Sequence, residues 1–313
     1  MKFMTCSLLT RVCTPEIPYL KAFLRHHQAL GFDLVDALIQ EPKLINVLDS
    51  ISKDLDLQIR VSLQSMLKTP AEVLHEAPVH AERDYVLLLD PDEYLYLPGH
   101  ENLASFLDAC DNPDSCYFRW VVSPSDFDAE SRRLGYLGHI GKHLALSKFV
   151  VGVATAHTFK LQEMEVVNPF KFDRHDGFVV HYWGRSFRDV LLKCLYYRGV
   201  HKSKQSSIEE VKSCCNGSEL PGRLKLLAAL NLHCRYILTP DYLEGMIDYC
   251  QEDSLLKACL LDGEVEAIKS SYLGYKSFLE NPNNGDARAL IAGYPGSYSI
   301  QKLADYLPAC MPD

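Results

Sequence analysis

Over its first 89 positions the chain alternates short apolar runs with stretches whose apolar residues fall at helical spacing, and this alternation limits its fold more than any other feature. Lys2 to Leu9, Leu34 to Ile39, Leu57 to Leu63 and Tyr85 to Leu89 have the length and apolarity of buried strands. Between them, Pro18 to Leu30 sets Tyr19, Leu20, Phe23, Leu24 and Leu30 at roughly helical spacing, and Gly31 supplies a stop. Leu44 to Leu55 reads as a second helix. Pro70 to Ala81 reads as a third, with proline in the first turn, where a missing N–H costs nothing. The order β-α-β-α-β-α-β predicts a doubly wound, mostly parallel α/β sheet with right-handed crossovers. Ligands of such sheets bind beyond the carboxyl ends of the strands. Asp90 follows the last of these strands directly.

Beyond Asp90 the alternation lapses. A loop with Pro98-Gly99, a helix from Asn102 to Ala109, a strand from Ser115 to Val122 and a polar loop from Ser123 to Arg133 come next. Lys148 to Thr155 and Gly177 to Tyr182 read as further strands, and from Ser186 to about Leu279 the apolar spacing is helical. A chain of 313 residues with 47% hydrophobic content can bury one full-sized core and a smaller unit. The expected division is an α/β region over 1–185 and a mostly helical region over 186–313.

The net charge of −9 leaves no excess of Lys and Arg to neutralise a polynucleotide, which argues against nucleic acid as a partner. The eleven cysteines are odd in number and contain no Cys-x-x-Cys, as expected of reduced thiols in a cytoplasmic protein. Met1 to Arg11 is too short to span a bilayer, and no later run approaches about 18 uninterrupted apolar residues. The expectation is a soluble protein with no transmembrane segment.

The strongest chemical signal is Leu87-Leu88-Leu89-Asp90-Pro91-Asp92-Glu93-Tyr94-Leu95. Two carboxylates two residues apart, leaving a buried strand for a loop, can both turn toward one hard cation, while Pro91 restricts the backbone between them. A cation held by Asp90 and Asp92 can hold phosphate oxygens as well, and it stabilises the negative charge that grows on a departing diphosphate. Asp-x-Asp by itself is also an ordinary solvated strand end; its place after four alternating strands gives the match its weight.

At these residues the chain resembles the GT-A glycosyltransferases related to family 2, in a branch close to family 92. The likeness runs over about residues 3 to 200 and is carried by Glu16-Ile17-Pro18-Tyr19-Leu20, by His26-His27 through Gly31, and by Leu87 to Leu95. Further parts of it are Lys142 to Phe159, with Val-Gly-Val and His157, and His181-Tyr182 through Lys193. Two departures stand out: Pro15 occupies a place where the family often has Asn, and Gln40-Glu41-Pro42 replaces an Asp-containing segment.

The resemblance implies a GT-A fold, Mn²⁺ or Mg²⁺ as cofactor, a nucleoside-diphosphate sugar as donor, a UDP-sugar first of all, and a glycan or other hydroxyl acceptor. It also implies a downstream histidine completing the metal shell that Asp90 and Asp92 begin, with His181 favoured over His157. Arg11 and Glu16, near the end of the first strand, would lie by the nucleotide; Glu16 could equally begin the following helix. Lys142, Lys148, Arg185 and Lys193 are candidates for phosphate, led by Arg185, which is near His181. An inverting transfer needs a carboxylate as general base, and Asp126 and Asp128 are the candidates. A sugar-phosphate nucleotidyltransferase is the main alternative, but it would carry a Gly-rich basic loop after the first strand, and Leu9 to Glu16 has no glycine. A non-catalytic sugar-binding relative is the other alternative.

Overall fold

β1 (Cys6–Val12) is the centre of the parallel half of the molecule, with β2 (Phe32–Ile39) on one side and β4 (Tyr85–Leu88) on the other. A computed structural model describes residues 4–80, 82–122, 134–162, 177–182 and 299–302. β3 (Gln58–Leu63) adds in parallel to β2 and forms the outer edge. The crossovers are α1 (Ile17–Ala29), α2 (Leu44–Leu55) and α3 (Pro70–His75). α1 buries Leu20, Phe23, Leu24 and His27, and α2 buries Leu44, Leu48 and Ile51, each set at the three- and four-residue spacing of one helix face. β1, β2 and β4 are buried along almost their whole length, as strands covered on both faces are.

Past β4 the sheet continues with strands of mixed direction. These are β5 (Glu93–Tyr96), β6 (Ser115–Val122), β7 (Leu134–Leu146) and β10 (Phe178–His181), with α4 (Leu103–Ala109) preceding β6. The full order is β3-β2-β1-β4-β7-β6-β10-β5, and a short β11 (Ser299–Lys302) pairs with β7. β7 is antiparallel to both of its neighbours β4 and β6, β10 is parallel to β6, and β5 is antiparallel to β10. A separate hairpin of β8 (Val150–Thr155) and β9 (Thr158–Leu161) follows a single 3-10 turn over Ser147–Phe149. Its Val153 and Phe159 join Leu9, Leu38, Val73, Leu74 and Leu88 in one buried cluster, which fixes the hairpin near the carboxyl ends of β1 and β4.

The mixed α/β architecture with a doubly wound sheet is the one expected of the sequence, with local differences that include the short strands β9 and β11. The third helix stops at His75 and not at Ala81, because Pro78 disfavours the α conformation at Ala77. β5 was not anticipated, since four residues straight after a turn carry little periodic signal. β7 was not anticipated either: Gly135, Gly138, Gly141 and Lys142 interrupt an otherwise apolar run, and glycines weaken a strand pattern. The chain divides into a unit of 1–122, 135–181 and 300–313 and a unit of 123–134 and 182–299. Nearly all of the second unit, with the helical reading of 186–279, lies outside the described residues. No helix among the described residues is long and apolar enough to cross a membrane.

Among the described residues β5 is an edge strand, and two consecutive histidines of α1 bond its backbone at Leu95. His26 Nε2–H donates to the Leu95 carbonyl at 2.7 Å, and His27 Nε2 accepts the Leu95 N–H at 3.2 Å. His27 Nδ1–H donates in turn to the Phe23 carbonyl at 2.8 Å, which fixes its tautomer. Burial, then the neighbouring His26, holds the His27 imidazole neutral by pulling its pKa well below the usual value. Replacing His27 by Ala leaves a buried N–H without an acceptor and a cavity beside Phe23 and Tyr94. The expected loss is about 2–4 kcal/mol of unfolding free energy, read from the urea midpoint at constant m-value.

Candidate active site

The acidic segment is a closed four-residue turn at the carboxyl end of β4. Leu89 N–H still donates to the Leu9 carbonyl at 3.1 Å, which carries the β1–β4 pairing to the last residue before Asp90. Glu93 N–H then donates to the Asp90 carbonyl at 2.9 Å, with Pro91 in the second position, where its fixed φ suits a turn. Asp90 N–H donates to Glu93 Oε2 at 2.6 Å, so the backbone and the Glu93 carboxylate close the turn from both sides.

Three carboxylates in one turn need a counter-charge, and β7 delivers it. The β4–β7 register runs Tyr85↔Leu146, Val86↔Ala145, Leu87↔Leu144, so Lys142 comes two residues later, beyond the end of β4. Its ammonium, on a side chain only 1% exposed, donates to Asp90 Oδ2 at 2.9 Å, to Glu93 Oε2 at 2.9 Å and to the Ala156 carbonyl at 2.7 Å. All three of its protons are committed, and a buried ammonium is tolerable on no other terms. Lys142, a candidate for phosphate on sequence alone, is here paired within the protein. Gly141 makes the approach of β7 possible: a Cβ there would sit 2.0 Å from the Phe118 carbonyl oxygen of β6.

Burial alone would pull the Lys142 pKa down, but Asp90 and Glu93 outweigh it and hold the ammonium above its ordinary value. For Asp90, burial pushes upward, and the Lys142 ammonium and Arg11 guanidinium more than offset it, leaving a carboxylate below its usual pKa. Burial drives the Glu93 carboxyl well above the usual range; Asp90 and Asp92 push the same way, and Lys142 offsets them only in part.

His181 ends β10 and pairs directly across from Glu93, which brings its Nε2 to 3.5 Å from Asp92 Oδ2. Trp120, at a register shift of β6 against β7, packs its ring 4.3 Å from His181 and 4.9 Å from His157. The Lys142 ammonium lies 5.9 Å from the same ring. The Trp120 Nε1–H is buried with no hydrogen-bond partner among the described residues. His157 sits in the two-residue turn of the β8–β9 hairpin, where its N–H donates to Thr155 Oγ1 at 3.0 Å. Burial and then Lys142 lower its pKa to about 4, so it is a neutral imidazole at neutral pH.

Beside this cluster a cavity of about 260 Å³ opens between Arg11 and Asp90, with Pro70, Leu74 and His75 of α3 and Thr155 of the hairpin along its walls. The loops that follow β1, β2 and β3 are tied laterally. Glu41 accepts from Thr14 N–H at 3.1 Å and Thr14 Oγ1 at 2.6 Å, and Gln40 Nε2–H donates to the Ser65 and Lys68 carbonyls at 2.9 and 2.8 Å. The segment that departs from the family pattern is thus a brace between loops in this chain. Glu16 is buried as the N-cap residue of α1, after the carboxyl end of β1.

The structure brings together Asp90, Asp92, His181 and His157, and sets Arg11 on the cavity with Asp90. Asp126, Asp128 and Arg185 lie outside the described residues. Sequence reasoning did not assign Lys142 its role as internal cation, nor Trp120 its place between the two histidines. A single Lys amid Leu137, Ile140, Leu144 and Leu146 was the available signal, since a lysine in an apolar strand needs a buried partner.

A divalent cation fits part of this donor set. Asp92 Oδ2 and His181 Nε2 face each other at a separation slightly wider than the ~3 Å between neighbouring donors of an octahedral ion with bonds near 2.1 Å. No group of three metal-spaced His, Cys, Asp or Glu side chains occurs among the described residues, so an ion there would keep positions open for solvent or phosphate oxygens. No family model matches the sequence. No curated protein matches it. Among solved structures, the chain is similar to HddC from Yersinia pseudotuberculosis at 12% identity and TM-score 0.34, over 52% of this chain and 85% of that one. It is similar to residues 1–349 of S. aureus TarS at 12% identity and TM-score 0.33, over 95% and 100% of the two chains. It is also similar to a UDP-glucose pyrophosphorylase complexed with UDP-glucose, at 8% identity and TM-score 0.27, over 47% and 78%. Likenesses this loose transfer no residue role.

Two outcomes test the site as described. Gly141→Ala forces β7 away from Phe118 and withdraws Lys142 from the turn, so it should destabilise the protein by about 2–4 kcal/mol in urea unfolding. His143, next to Lys142, accepts the Phe159 N–H at Nδ1, and burial lowers its pKa to about 4. Unfolded, the same imidazole protonates near 6.5. Between those values the unfolded chain binds the extra proton, so stability should fall with pH from about 6.5 to about 4, by up to ~3 kcal/mol from this residue. His143→Asn, which keeps an acceptor at the same place, should flatten that slope in unfolding curves recorded across the window.

Proposed function

We propose that this chain is a glycosyltransferase of the GT-A type. In this reading it moves a sugar from a nucleoside-diphosphate donor, a UDP-sugar first of all, to a hydroxyl of a glycan or similar acceptor. The observation that carries the reading is the acidic turn at the carboxyl end of β4, whose Asp92 lies 3.5 Å from His181 of β10 and whose Asp90 lines a cavity.

Asp92 and His181 would hold Mn²⁺ or Mg²⁺, with His157 nearby as a neutral imidazole; neutral imidazole favours Mn²⁺ of the two. A cation bound there supplies positive charge to the leaving diphosphate. The chain's own residues do the rest. Asp90 keeps one carboxylate oxygen on Lys142 and has about a third of its side chain exposed, 32%, so it can accept a hydroxyl of the donor's ribose. Arg11, which lines the same cavity, would offset phosphate charge. Arg185 is proposed as a further phosphate ligand, and Asp126 or Asp128 as the general base toward the acceptor hydroxyl.

The test is release of nucleoside diphosphate from a panel of nucleotide sugars. Release should require Mn²⁺ or Mg²⁺, stop with EDTA and fall by about 10² or more in Asp92→Asn. Formation of pyrophosphate from a nucleoside triphosphate and a sugar phosphate would replace this reading with nucleotidyl transfer. Absence of any nucleotide binding would remove it.

A further inference from the structure

The acidic turn offers a cation three carboxylates, yet half of it is already occupied by the protein itself. We propose that Lys142 is the resident cation of this site: its ammonium permanently holds the Asp90–Glu93 half of the turn, so that a divalent ion binds only at the Asp92–His181 half. This rests on the metal-dependent reading above and goes beyond it by assigning the charge balance of the site to one lysine.

Three observations carry it. The ammonium spends its three protons on Asp90 Oδ2, Glu93 Oε2 and the Ala156 carbonyl, at 2.7–2.9 Å, so it leaves no unsatisfied proton that would favour its departure. The side chain is 1% exposed, and the strand behind it is paired with β6 so closely at Gly141 that a Cβ there would overlap the Phe118 backbone, so the ammonium sits on a strand packed in the sheet and not on an exposed flexible stem. A divalent ion on the same two oxygens would also face a fixed positive charge at contact distance, where like charges in a water-poor site repel strongly.

A lysine that merely glued the turn together and a lysine that competes with metal have opposite signatures. Loss of glue loosens the metal site. Loss of a competing cation leaves the oxygens of Asp90 and Glu93, the latter once it gives up its proton, open to metal beside Asp92 and His181 and tightens it. The measurement is binding of Mn²⁺ alone, followed by the electron paramagnetic resonance of the free ion, on the full chain and on variants whose folding is checked by thermal melting. The wild type should bind one Mn²⁺. Asp92→Asn should weaken binding by about tenfold or more, whereas Asp90→Asn should stay within roughly threefold of wild type. Lys142→Met should bind about tenfold tighter or take up a second ion.

If Lys142→Met does not fold, the contrast between Asp90→Asn and Asp92→Asn decides by itself. Equal weakening by those two substitutions, or a folded Lys142→Met that binds no tighter, overturns the assignment of Lys142 and leaves the functional reading standing. A wild-type chain that binds no Mn²⁺, alone or with UDP, overturns both.

Discussion

Everything at the candidate site is organised around one buried ammonium. Without Lys142, Asp90 and Glu93 would be adjacent carboxylates at the end of a strand covered on both faces, and their repulsion and desolvation would open the turn that carries Asp92. With it, the turn is closed by the Asp90 and Glu93 backbone amides on one side and by a cation on the other. The same group takes the carbonyl of Ala156, which fastens the tip of the β8–β9 hairpin to the strand end and brings His157 against Trp120. One side chain thereby joins segments that are 52 and 14 residues away from it in the chain.

The fold supplies that lysine by breaking its own pattern. A purely parallel sheet would leave the far side of β4 to another crossover strand, with its carboxyl end pointing the same way as Asp90. An antiparallel β7 instead runs its backbone past the end of β4, so Lys142 reaches the site from a segment still paired with β6. The site is then bounded on its other side by β10 and β5, where the His181↔Glu93 pairing sets the imidazole over the turn. β5 stays in place although it is an edge, because His26 and His27 satisfy Leu95 from α1. The histidines of α1 serve this strand, whereas His181, beside Asp92, comes from a strand more than 150 residues later.

The sequence made the parallel half legible because its strands and helices differ in period, and because Asp90-Pro91-Asp92-Glu93 follows a run of five apolar residues with no ambiguity of register. It also made His181 and His157 visible as candidates, since each ends or follows a short apolar run. What it concealed is what depends on contact between distant segments. β7 looks like a poor strand, since the glycine that lets it approach Phe118 and the lysine it buries are both residues that strands disfavour on average. Gln40-Glu41-Pro42 reads only as a departure from a family pattern, whereas the Glu41 carboxylate accepts from Thr14 across the loops. In each case the local propensity was overridden by a tertiary partner that no spacing rule records.

The most direct test of the account is manganese anomalous scattering from a crystal of the full chain grown with Mn²⁺ and UDP. The account predicts a single peak within bonding distance of Asp92 and His181, diphosphate oxygens on the same ion, the nucleoside in the cavity beside Arg11, and Lys142 still on Asp90 and Glu93. A nucleotide bound elsewhere, or an ordered nucleotide with no manganese peak at Asp92, would contradict it.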